Sequence, residues 1–176
     1  MKRKLDIVTD AEAFAINAHT SIGQTRKYTG EPYHVHPLAV CEIVETVNYD
    51  PSVRAAALLH DVVEDTPITI EQVRHQFGDR VADLVADLTD VSKPEDGNRA
   101  TRKALDREHT ANACAEAQTI KLADLIDNSK SILKHDPDFA RVYIKEKVEL
   151  LKVLTKGNPQ LRAQAEQQVA LYLNKG

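Results

Sequence analysis

The segment AAALLHDVVED, residues 55–65, decides how this chain is built. Its first five residues are small or apolar, which is typical of a helix buried in a core. The next six include His60, Asp61, Glu64 and Asp65. Carboxylates are rarely buried unless they are paired or bound to a metal ion. The segment therefore predicts a core helix whose last turns carry either a functional group of side chains or acids exposed to water.

Spacing along a helix relates these four polar residues to one another. On one continuous helix, His60 and Glu64 share a face, as do Asp61 and Asp65. The adjacent His60 and Asp61 diverge by about 100°, yet both could hold one ion beyond the helix end. A nitrogen and an oxygen ligand beside further acids suit a divalent cation. The alternative is a helix that leaves the core with its acids solvated.

Length and composition favour one globular domain. The chain has 176 residues, of which 42% are hydrophobic and 28% charged, enough for a core and too apolar for disorder. Cys41 and Cys114 lack metal-binding spacing and predict a reducing, cytoplasmic setting. The net charge is −4, and no basic stripe appears beyond the N-terminal MKRK, which argues against nucleic-acid binding. No apolar run has the length of a signal peptide or a membrane span.

Helical periodicity and capping signals run through the whole chain, so we predict an all-α fold. The polar stretch DVSKPEDGN, residues 90–98, reads as a mobile loop inside a single domain that covers residues 1–176. The predicted helices span approximately residues 9–22, 37–47, 51–65, 69–77, 79–89, 99–115, 117–133, 139–155 and 159–173.

Two more residues on predicted core helices carry groups that bind metals. His36 stands directly before Pro37, at the entrance of the second helix. Asp124 lies within the apolar segment AQTIKLADLIDNSKSIL, where a buried carboxylate needs a partner such as Lys121, an arginine or an ion. Two histidines and two aspartates would hold a divalent metal and leave positions for water and substrate. The candidate ligands are His36, His60, Asp61 and Asp124.

The remaining polar candidates lie outside these helices or on their exposed faces. The turn QTRKYTGEPY, residues 24–33, places Arg26 and Lys27 beside Tyr28, a combination that can stack on a base and meet phosphates. A solvated loop is the alternative. His19 is predicted to pack under this turn as a structural residue. Three cations of the predicted helix at 99–115 are expected to form a solvated face: Arg102, Lys103 and Arg107.

Taken together, the motifs resemble a known family. The set H…HD…D resembles the signature of the HD metal-dependent phosphohydrolases. The segments GQTRKYTGEPYHVHP, AALLHDVVEDT and IKLADLIDN resemble the hydrolase domain of the RelA/SpoT alarmone enzymes, above all the stand-alone small alarmone hydrolases. The likeness runs from about residue 11 to 154, before the C-terminal helix at about 159–173. It implies the helical bundle of an HD hydrolase.

This resemblance also implies an activity and a set of roles. The activity is hydrolysis of the 3′-pyrophosphate of ppGpp and pppGpp in the stringent response, normally with Mn²⁺. Glu64, one turn after His60, fits a general base acting on water at the ion. By position, the implied metal ligands are His36, His60, Asp61 and Asp124, the catalytic acids are Glu64 and Asp65, and the substrate contacts are Arg26, Lys27, Asn128 and Arg141.

Other functions remain open at this point. Tyr28 looks like an insertion in the loop that touches the base in relatives. The substrate could therefore be an adenine alarmone such as ppApp, or the 2′-phosphate of NADPH. A catalytically silent alarmone-binding protein is a third reading, although Glu64 and Asp65 would then have no purpose. The sequence leaves a homo-oligomer open.

Overall fold

A computed structural model describes residues 6–174, so the MKRK segment lies outside the described residues. The predicted all-α fold is confirmed, since these residues form ten α-helices, a short 3-10 helix at Pro94–Asp96 and no β-strand. Within them, no helix is both long and apolar enough to cross a bilayer. The helices are α1 (Ile7–Ser21), α2 (Val35–Glu45), α3 (Pro51–Leu59), α4 (Val62–Asp65), α5 (Ile70–Phe77), α6 (Asp79–Leu88), α7 (Arg99–Asn112), α8 (Ala115–His135), α9 (Pro137–Val153) and α10 (Pro159–Leu173).

Two compact units meet in sequence between Thr89 and Asp90. The single domain covering residues 1–176 therefore stays a prediction. In the first unit, α3 is the central element, because α1, α2 and α6 all pack against it. Its residues 55–59 are at most 2% exposed, which agrees with a helix that is apolar on every side. The predicted core role of this segment is confirmed.

Capping side chains set the ends of several helices. The α1 helix begins at Ile7 rather than near Thr9, because the Asp6 carboxylate accepts a hydrogen bond from the amide of Val8 at 3.2 Å. Asp50 caps α3 by accepting a hydrogen bond from the Ser52 amide at 2.8 Å. A capping box of Thr69 and Gln72 is present at the start of α5.

The prediction of one helix over residues 51–65 is wrong at His60 and Asp61. The α3 helix ends at Leu59, and the one-turn helix α4 begins at Val62. Asp61 between them has φ −98° and ψ −5°, near the sparsely populated bridge region of backbone space. A new turn then starts with the hydrogen bond from the Asp65 amide to the Asp61 carbonyl at 2.9 Å. The break puts His60 and Asp61 at a junction rather than on a helix face.

The central element of the second unit is α8. Both α9 and α10 pack against it, and α7 packs against α9. Ten of its residues are buried, among them Asp124 and Ser129. This confirms the prediction of a central helix, although α8 begins at Ala115 and ends at His135, beyond the predicted bounds of 117–133. Pro137 stands in the first turn of the next helix, as its lack of an amide proton allows.

Asp106 ties down the segment that was predicted to be a mobile loop, residues 90–98. This buried carboxylate accepts hydrogen bonds from the amides of Val91 at 3.1 Å and Ser92 at 2.9 Å, and from the Ser92 hydroxyl at 2.8 Å. Part of the segment is also a 3-10 helix. The loop is thus anchored to α7 at its first residues, and a free loop is not what the structure has.

Replacement of Asp106 tests this anchor. We expect Asp106→Ala to speed hydrogen exchange at the Val91 and Ser92 amides by about 10- to 100-fold, because hydrogen bonds to a charged acceptor contribute roughly 1.5–3 kcal/mol each. The measurement is amide exchange followed by NMR. Asp106→Asn is the matched control, since its carbonyl oxygen still accepts from both amides, and equal exchange rates in the two variants would refute the anchor.

Candidate metal and catalytic site

Three of the predicted metal ligands meet in the first unit. The ligand nitrogens of His36, on α2, and His60, at the end of α3, lie within 4.8 Å of each other. Asp61 Oδ2 lies 3.1 Å from His60 Nε2 and 3.6 Å from His36 Nε2. The two imidazoles are 1% and 3% exposed, whereas the carboxylate is 19% exposed. One oxygen therefore faces two buried ring nitrogens, with an opening toward solvent on the carboxylate side.

The protonation of His60 Nδ1 follows from its hydrogen-bond partner. His60 Nδ1 lies 2.7 Å from the carbonyl oxygen of Ala57. A carbonyl can only accept, so Nδ1 carries a proton. Nε2 lies 3.1 Å from an oxygen of the Asp61 carboxylate, and a proton or a metal cation between these two atoms makes this approach favourable. The donor set fits a divalent ion held by neutral imidazole and carboxylate.

Tyr33 supports this cluster of ligands, a role that was not predicted from the sequence. Its hydroxyl donates a hydrogen bond to Asp61 Oδ2 at 2.6 Å. Its ring packs against that of His36, with centroids 5.9 Å apart, and against that of His19, with centroids 4.8 Å apart. The only signal in the sequence was an aromatic residue three positions before His36, within a turn. Tyr33 therefore fixes the orientation of a predicted metal ligand.

The predicted catalytic acids follow at once on α4. Glu64 and Asp65 are both exposed, as a short helix that leaves the core would make them. Asp65 Oδ2 accepts a hydrogen bond from the side-chain amide of Gln24 at 2.9 Å. Both acids thus lie on the helical turn that begins at Asp61, so either carboxylate could act on a water molecule near Asp61 without a large movement of the backbone.

The turn of residues 24–33 is closed by its own backbone. The Arg26 amide donates to the Glu31 carbonyl at 2.8 Å, and the Gly30 amide donates to the Arg26 carbonyl at 3.0 Å, with Gly30 at φ +73°. The Arg26 guanidinium lies 5.8 Å from the centre of the Tyr33 ring, and Lys27 Nζ lies 4.9 Å from that of Tyr28. Both cations therefore stack on aromatic rings of the turn itself.

Asp124 and Asn128 belong to the second unit, on one face of α8. Lys121 Nζ lies 2.9 Å from Asp124 Oδ2, and the Asn128 side-chain amide donates to Asp124 Oδ1 at 2.6 Å. Asp124 is 6% exposed, and a buried carboxylate needs such partners. Asp124 and Asn128 lie on one face of α8, and the predicted Lys121 partner of Asp124 is confirmed. The ammonium of Lys121 and the side-chain amide of Asn128 together hold the Asp124 carboxylate in one rotamer.

Beside Asp124, the second unit contains a cavity of about 330 Å³. Its lining combines cations, carboxylates and neutral side chains: Arg99, Lys103, Arg107, Lys121 and Lys147, then Asp90, Asp106, Asp124 and Glu146, then Asn128 and Tyr143. Lys103 and Arg107, which were predicted to lie on a solvated face, are half-buried and line this cavity. The sequence signal was their spacing of four, one helical turn. Arg141 is exposed on α9 and is not among the lining residues.

Lys147 is an unusual member of the cavity wall. It is 1% exposed, and its ammonium donates to the Ser129 hydroxyl at 2.8 Å and to the Gln168 side-chain oxygen at 2.7 Å. Burial lowers the pKa of Lys147 to about 8. The same Ser129 hydroxyl lies 3.1 Å from the Tyr143 hydroxyl. Lys147 thus joins α8, α9 and α10 through neutral groups.

The lowered pKa makes the stability of this unit depend on pH. Between the folded pKa of about 8 and the ordinary value of 10.5, the unfolded chain binds more protons, so the free energy of unfolding rises with pH across this window. We expect the rise to reach about 3 kcal/mol relative to Lys147→Met. Urea denaturation at pH 7 to 10 measures it, and parallel curves for both proteins would contradict it.

Removal of the Tyr33 hydroxyl tests its support of Asp61. We expect Tyr33→Phe to weaken divalent-ion binding by about 10- to 100-fold, because loss of a hydrogen bond to a metal ligand has effects of that size. Calorimetric titration with Mn²⁺ gives the affinity. Tyr49→Phe is the control, since Tyr49 is 73% exposed, and an unchanged affinity in Tyr33→Phe would refute the role.

Curated proteins similar to this chain include enzymes of alarmone metabolism. A probable guanosine-3′,5′-bis(diphosphate) 3′-pyrophosphohydrolase of Synechocystis sp. is 32% identical over 151 residues, which is 84% of this chain and 20% of the relative. The guanosine-3′,5′-bis(diphosphate) 3′-pyrophosphohydrolase of Haemophilus influenzae is 36% identical, covering 73% of this chain and 19% of the relative. The chain thus spans about a fifth of the length of these relatives.

A solved structure is similar over its whole length. It is a metazoan ortholog of SpoT that hydrolyzes ppGpp and plays a role in starvation responses, and it is 29% identical with a TM-score of 0.84. The match covers 100% of this chain and 99% of that one. The family model for the HD domain matches residues 11–150. Members bind divalent metal, which agrees with the donor set of His36 and His60, and this chain belongs to the HD domain family.

Proposed function

We propose that this chain hydrolyses the 3′-pyrophosphate of ppGpp and pppGpp, releasing pyrophosphate and GDP or GTP. One observation carries the proposal: two buried imidazoles and the Asp61 carboxylate converge directly before the exposed acids Glu64 and Asp65. Such a donor set beside a base suits hydrolysis of a phosphate ester rather than mere binding. The similarity to a ppGpp-hydrolysing structure over its full length supports the choice of substrate.

The proposed ion has four protein ligands: His36, His60, Asp61 and Asp124. When bound, the ion lowers the pKa of water and neutralises charge on the phosphoryl oxygens. Asp61 contributes an oxygen that Tyr33 orients at 2.6 Å, and Asp124 contributes a buried carboxylate held by Lys121 and Asn128. The chemistry of nitrogen and carboxylate donors admits several divalent metals, of which we propose Mn²⁺.

The catalytic acids are proposed to act on the attacking water. Glu64 accepts its proton as general base, and Asp65 orients the water. The water oxygen forms a bond to the phosphorus that is attached to the 3′ oxygen. The bond between that phosphorus and the 3′ oxygen breaks, and the 3′ oxygen takes up a proton and leaves as a hydroxyl. No step requires a covalent intermediate with the protein. Neither acid needs to be buried in the free protein, because the bound substrate itself excludes bulk water from around them.

Substrate recognition is proposed to use both units. In the first, Arg26 and Lys27 would stack on the base, as their present packing against Tyr33 and Tyr28 suggests for a planar partner. In the second, Asn128 would meet the nucleoside and Arg141 the 5′-phosphates. The cavity of the second unit offers Arg107 as a further phosphate ligand, and Lys103, whose Nζ lies 3.2 Å from Asp90 Oδ2, as another.

A second substrate class is favoured by one feature of the turn. Lys27 Nζ lies over the ring of Tyr28 at 4.9 Å, so the inserted tyrosine competes with a base for this cation. Adenine alarmones such as ppApp, or NADPH at its 2′-phosphate, could then be preferred. A nucleotide, rather than nucleic acid, is the proposed partner. A cytoplasmic location is proposed because the sequence has only two cysteines, Cys41 and Cys114, without metal-binding spacing.

A substrate panel with varied metals tests the activity. Purified protein is incubated with ppGpp, pppGpp, ppApp or NADPH and with Mn²⁺, Mg²⁺ or Zn²⁺, and released pyrophosphate and phosphate are quantified. We expect pyrophosphate from ppGpp with Mn²⁺. If none of these nucleotides is cleaved while a known relative works in parallel, the hydrolase proposal fails, and nucleotide binding without turnover would identify a silent alarmone-binding protein.

Replacement of Glu64 tests the assignment of the base. We expect Glu64→Gln to lower kcat by about 10²- to 10⁴-fold, the usual contribution of a general base, while bound metal measured by elemental analysis stays at the wild-type level. Glu42→Gln, at an exposed glutamate of α2, is the matched control. His60→Ala should instead lose the metal. Wild-type turnover in Glu64→Gln would show that another group accepts the proton.

A further inference from the structure

A relay of hydrogen bonds, formed by His19, Gln24 and Asp65, leads from the core of the first unit to its surface. His19 Nδ1 lies 2.7 Å from Gln24 Oε1, and Gln24 Nε2 donates to Asp65 Oδ2 at 2.9 Å. His19 is 1% exposed, Gln24 is half-buried and Asp65 is exposed. The relay therefore connects His19, a fixed group of the core, to the Asp65 carboxylate, which would otherwise sample several rotamers in water.

Chemistry fixes the direction of each hydrogen bond. An ionised carboxylate can only accept, so the amide nitrogen of Gln24 must face Asp65 and the amide oxygen must face His19. That oxygen can also only accept, and His19 Nδ1 must therefore carry a proton. His19 Nε2 is buried with no hydrogen-bond partner among residues 6–174. The hydrogen bond to Gln24 therefore depends on the proton at Nδ1 and not on Nε2.

The surrounding backbone and aromatic rings hold His19 and Gln24 in place. The amide of Gln24 donates to the His19 carbonyl at 3.1 Å, and the Gln24 carbonyl accepts from the Tyr33 amide at 3.1 Å. The His19 ring packs on the Tyr33 ring, with centroids 4.8 Å apart. Tyr33 in turn donates to Asp61. One packed group of rings is thus connected both to a proposed metal ligand and to a proposed catalytic acid.

We propose that His19 and Gln24 are positioning residues for Asp65. By occupying Oδ2, the amide of Gln24 holds the carboxylate in one rotamer and leaves Oδ1 to orient the attacking water. His19 acts through Gln24, because its fixed proton prevents the amide from turning over. This proposal deepens the proposed hydrolytic function and rests on it, since Asp65 has a positioned role only if it acts on water.

The first test changes the polarity of one atom in the relay. Gln24→Glu keeps an oxygen facing His19 but replaces the donor to Asp65 with a second carboxylate oxygen, which repels it. We expect kcat for ppGpp to fall about 10- to 100-fold with KM unchanged, because small misplacements of a catalytic group have effects of this size. Gln76→Glu, at an exposed glutamine of α5, controls for the added charge.

A structural role for Gln24 predicts a different result. If Gln24 merely shapes the turn that carries Arg26, Gln24→Glu should raise KM and leave kcat unchanged. That outcome, or wild-type values for both parameters, would overturn the proposal. A fall in kcat alone supports it, provided that the thermal midpoint of Gln24→Glu stays close to that of Gln76→Glu.

The second test is a matched pair at His19. The amide nitrogen of asparagine occupies nearly the position of histidine Nδ1, whereas that of glutamine reaches the position of Nε2. We therefore expect His19→Asn to retain kcat within about 3-fold, since it keeps the donor to Gln24, and His19→Gln to lose about as much as Gln24→Glu. Both variants lose the same ring packing against Tyr33, so equal kcat values in the pair would overturn the proposal.

The third measurement needs no substrate and so separates this proposal from the proposed function. Nitrogen-15 NMR of the intact chain reports which ring nitrogen of His19 carries the proton. We expect a proton on Nδ1 in the wild type and a shift of the tautomer population away from Nδ1–H in Gln24→Leu, even if no nucleotide is hydrolysed. An unprotonated Nδ1 in the wild type at pH 7.5 would refute the relay, whatever the activity.

Discussion

The approach of the Asp61 carboxylate to two buried imidazole nitrogens is the interaction on which the first unit depends. His60 Nε2 faces a carboxylate oxygen at 3.1 Å, and such an arrangement is stable only with a positive charge, a proton or a metal ion, between the two atoms. The apolar residues of α3 remove the imidazoles from water, and the hydroxyl of Tyr33 compensates part of the negative charge. Packing and ion binding are therefore coupled, because the same helix end supplies both.

The two units arrange their charged groups differently. The first concentrates imidazole nitrogens and carboxylates at the end of α3 and on α4, which favours a cation. In the second, a cavity of about 330 Å³ is lined by both signs of charge, and three of its cations are paired with carboxylates of the same lining: Arg99 with Glu146, Lys103 with Asp90 and Lys121 with Asp124.

Much of this arrangement was predictable from the sequence. The all-α fold follows from periodicity, and the buried segment of residues 55–59 follows from its composition. His36, His60 and Asp61 could be grouped by residue type, and the structure brings these three together. The break at His60 was not predictable, because the apolar pattern continues through Val62 and Val63, and periodicity does not register a single residue in the bridge region.

Side chains that act through others were also hidden from sequence reasoning. Gln24 and Tyr33 lie in a turn, where polar and aromatic residues are commonplace, and only their contacts with Asp65 and Asp61 give them a role. Lys147 looked like one of many surface lysines on an amphipathic helix. Its burial depends on Gln168, which is 21 residues later in the chain, and no local pattern reports a partner at that separation.

The fixed length of α3 has a consequence for how the chain can diverge. A residue added within Ala55–Leu59 would rotate His60 and Asp61 by about 100° and move them about 1.5 Å along the axis, which would separate them from His36. The turn that carries Arg26 is closed at its base by the Arg26–Glu31 hydrogen bond at 2.8 Å, so its tip can gain or lose residues without moving that base. Insertions and deletions are thus easier to accommodate at the tip of the proposed substrate-binding turn than within the helix that positions the proposed metal ligands His60 and Asp61.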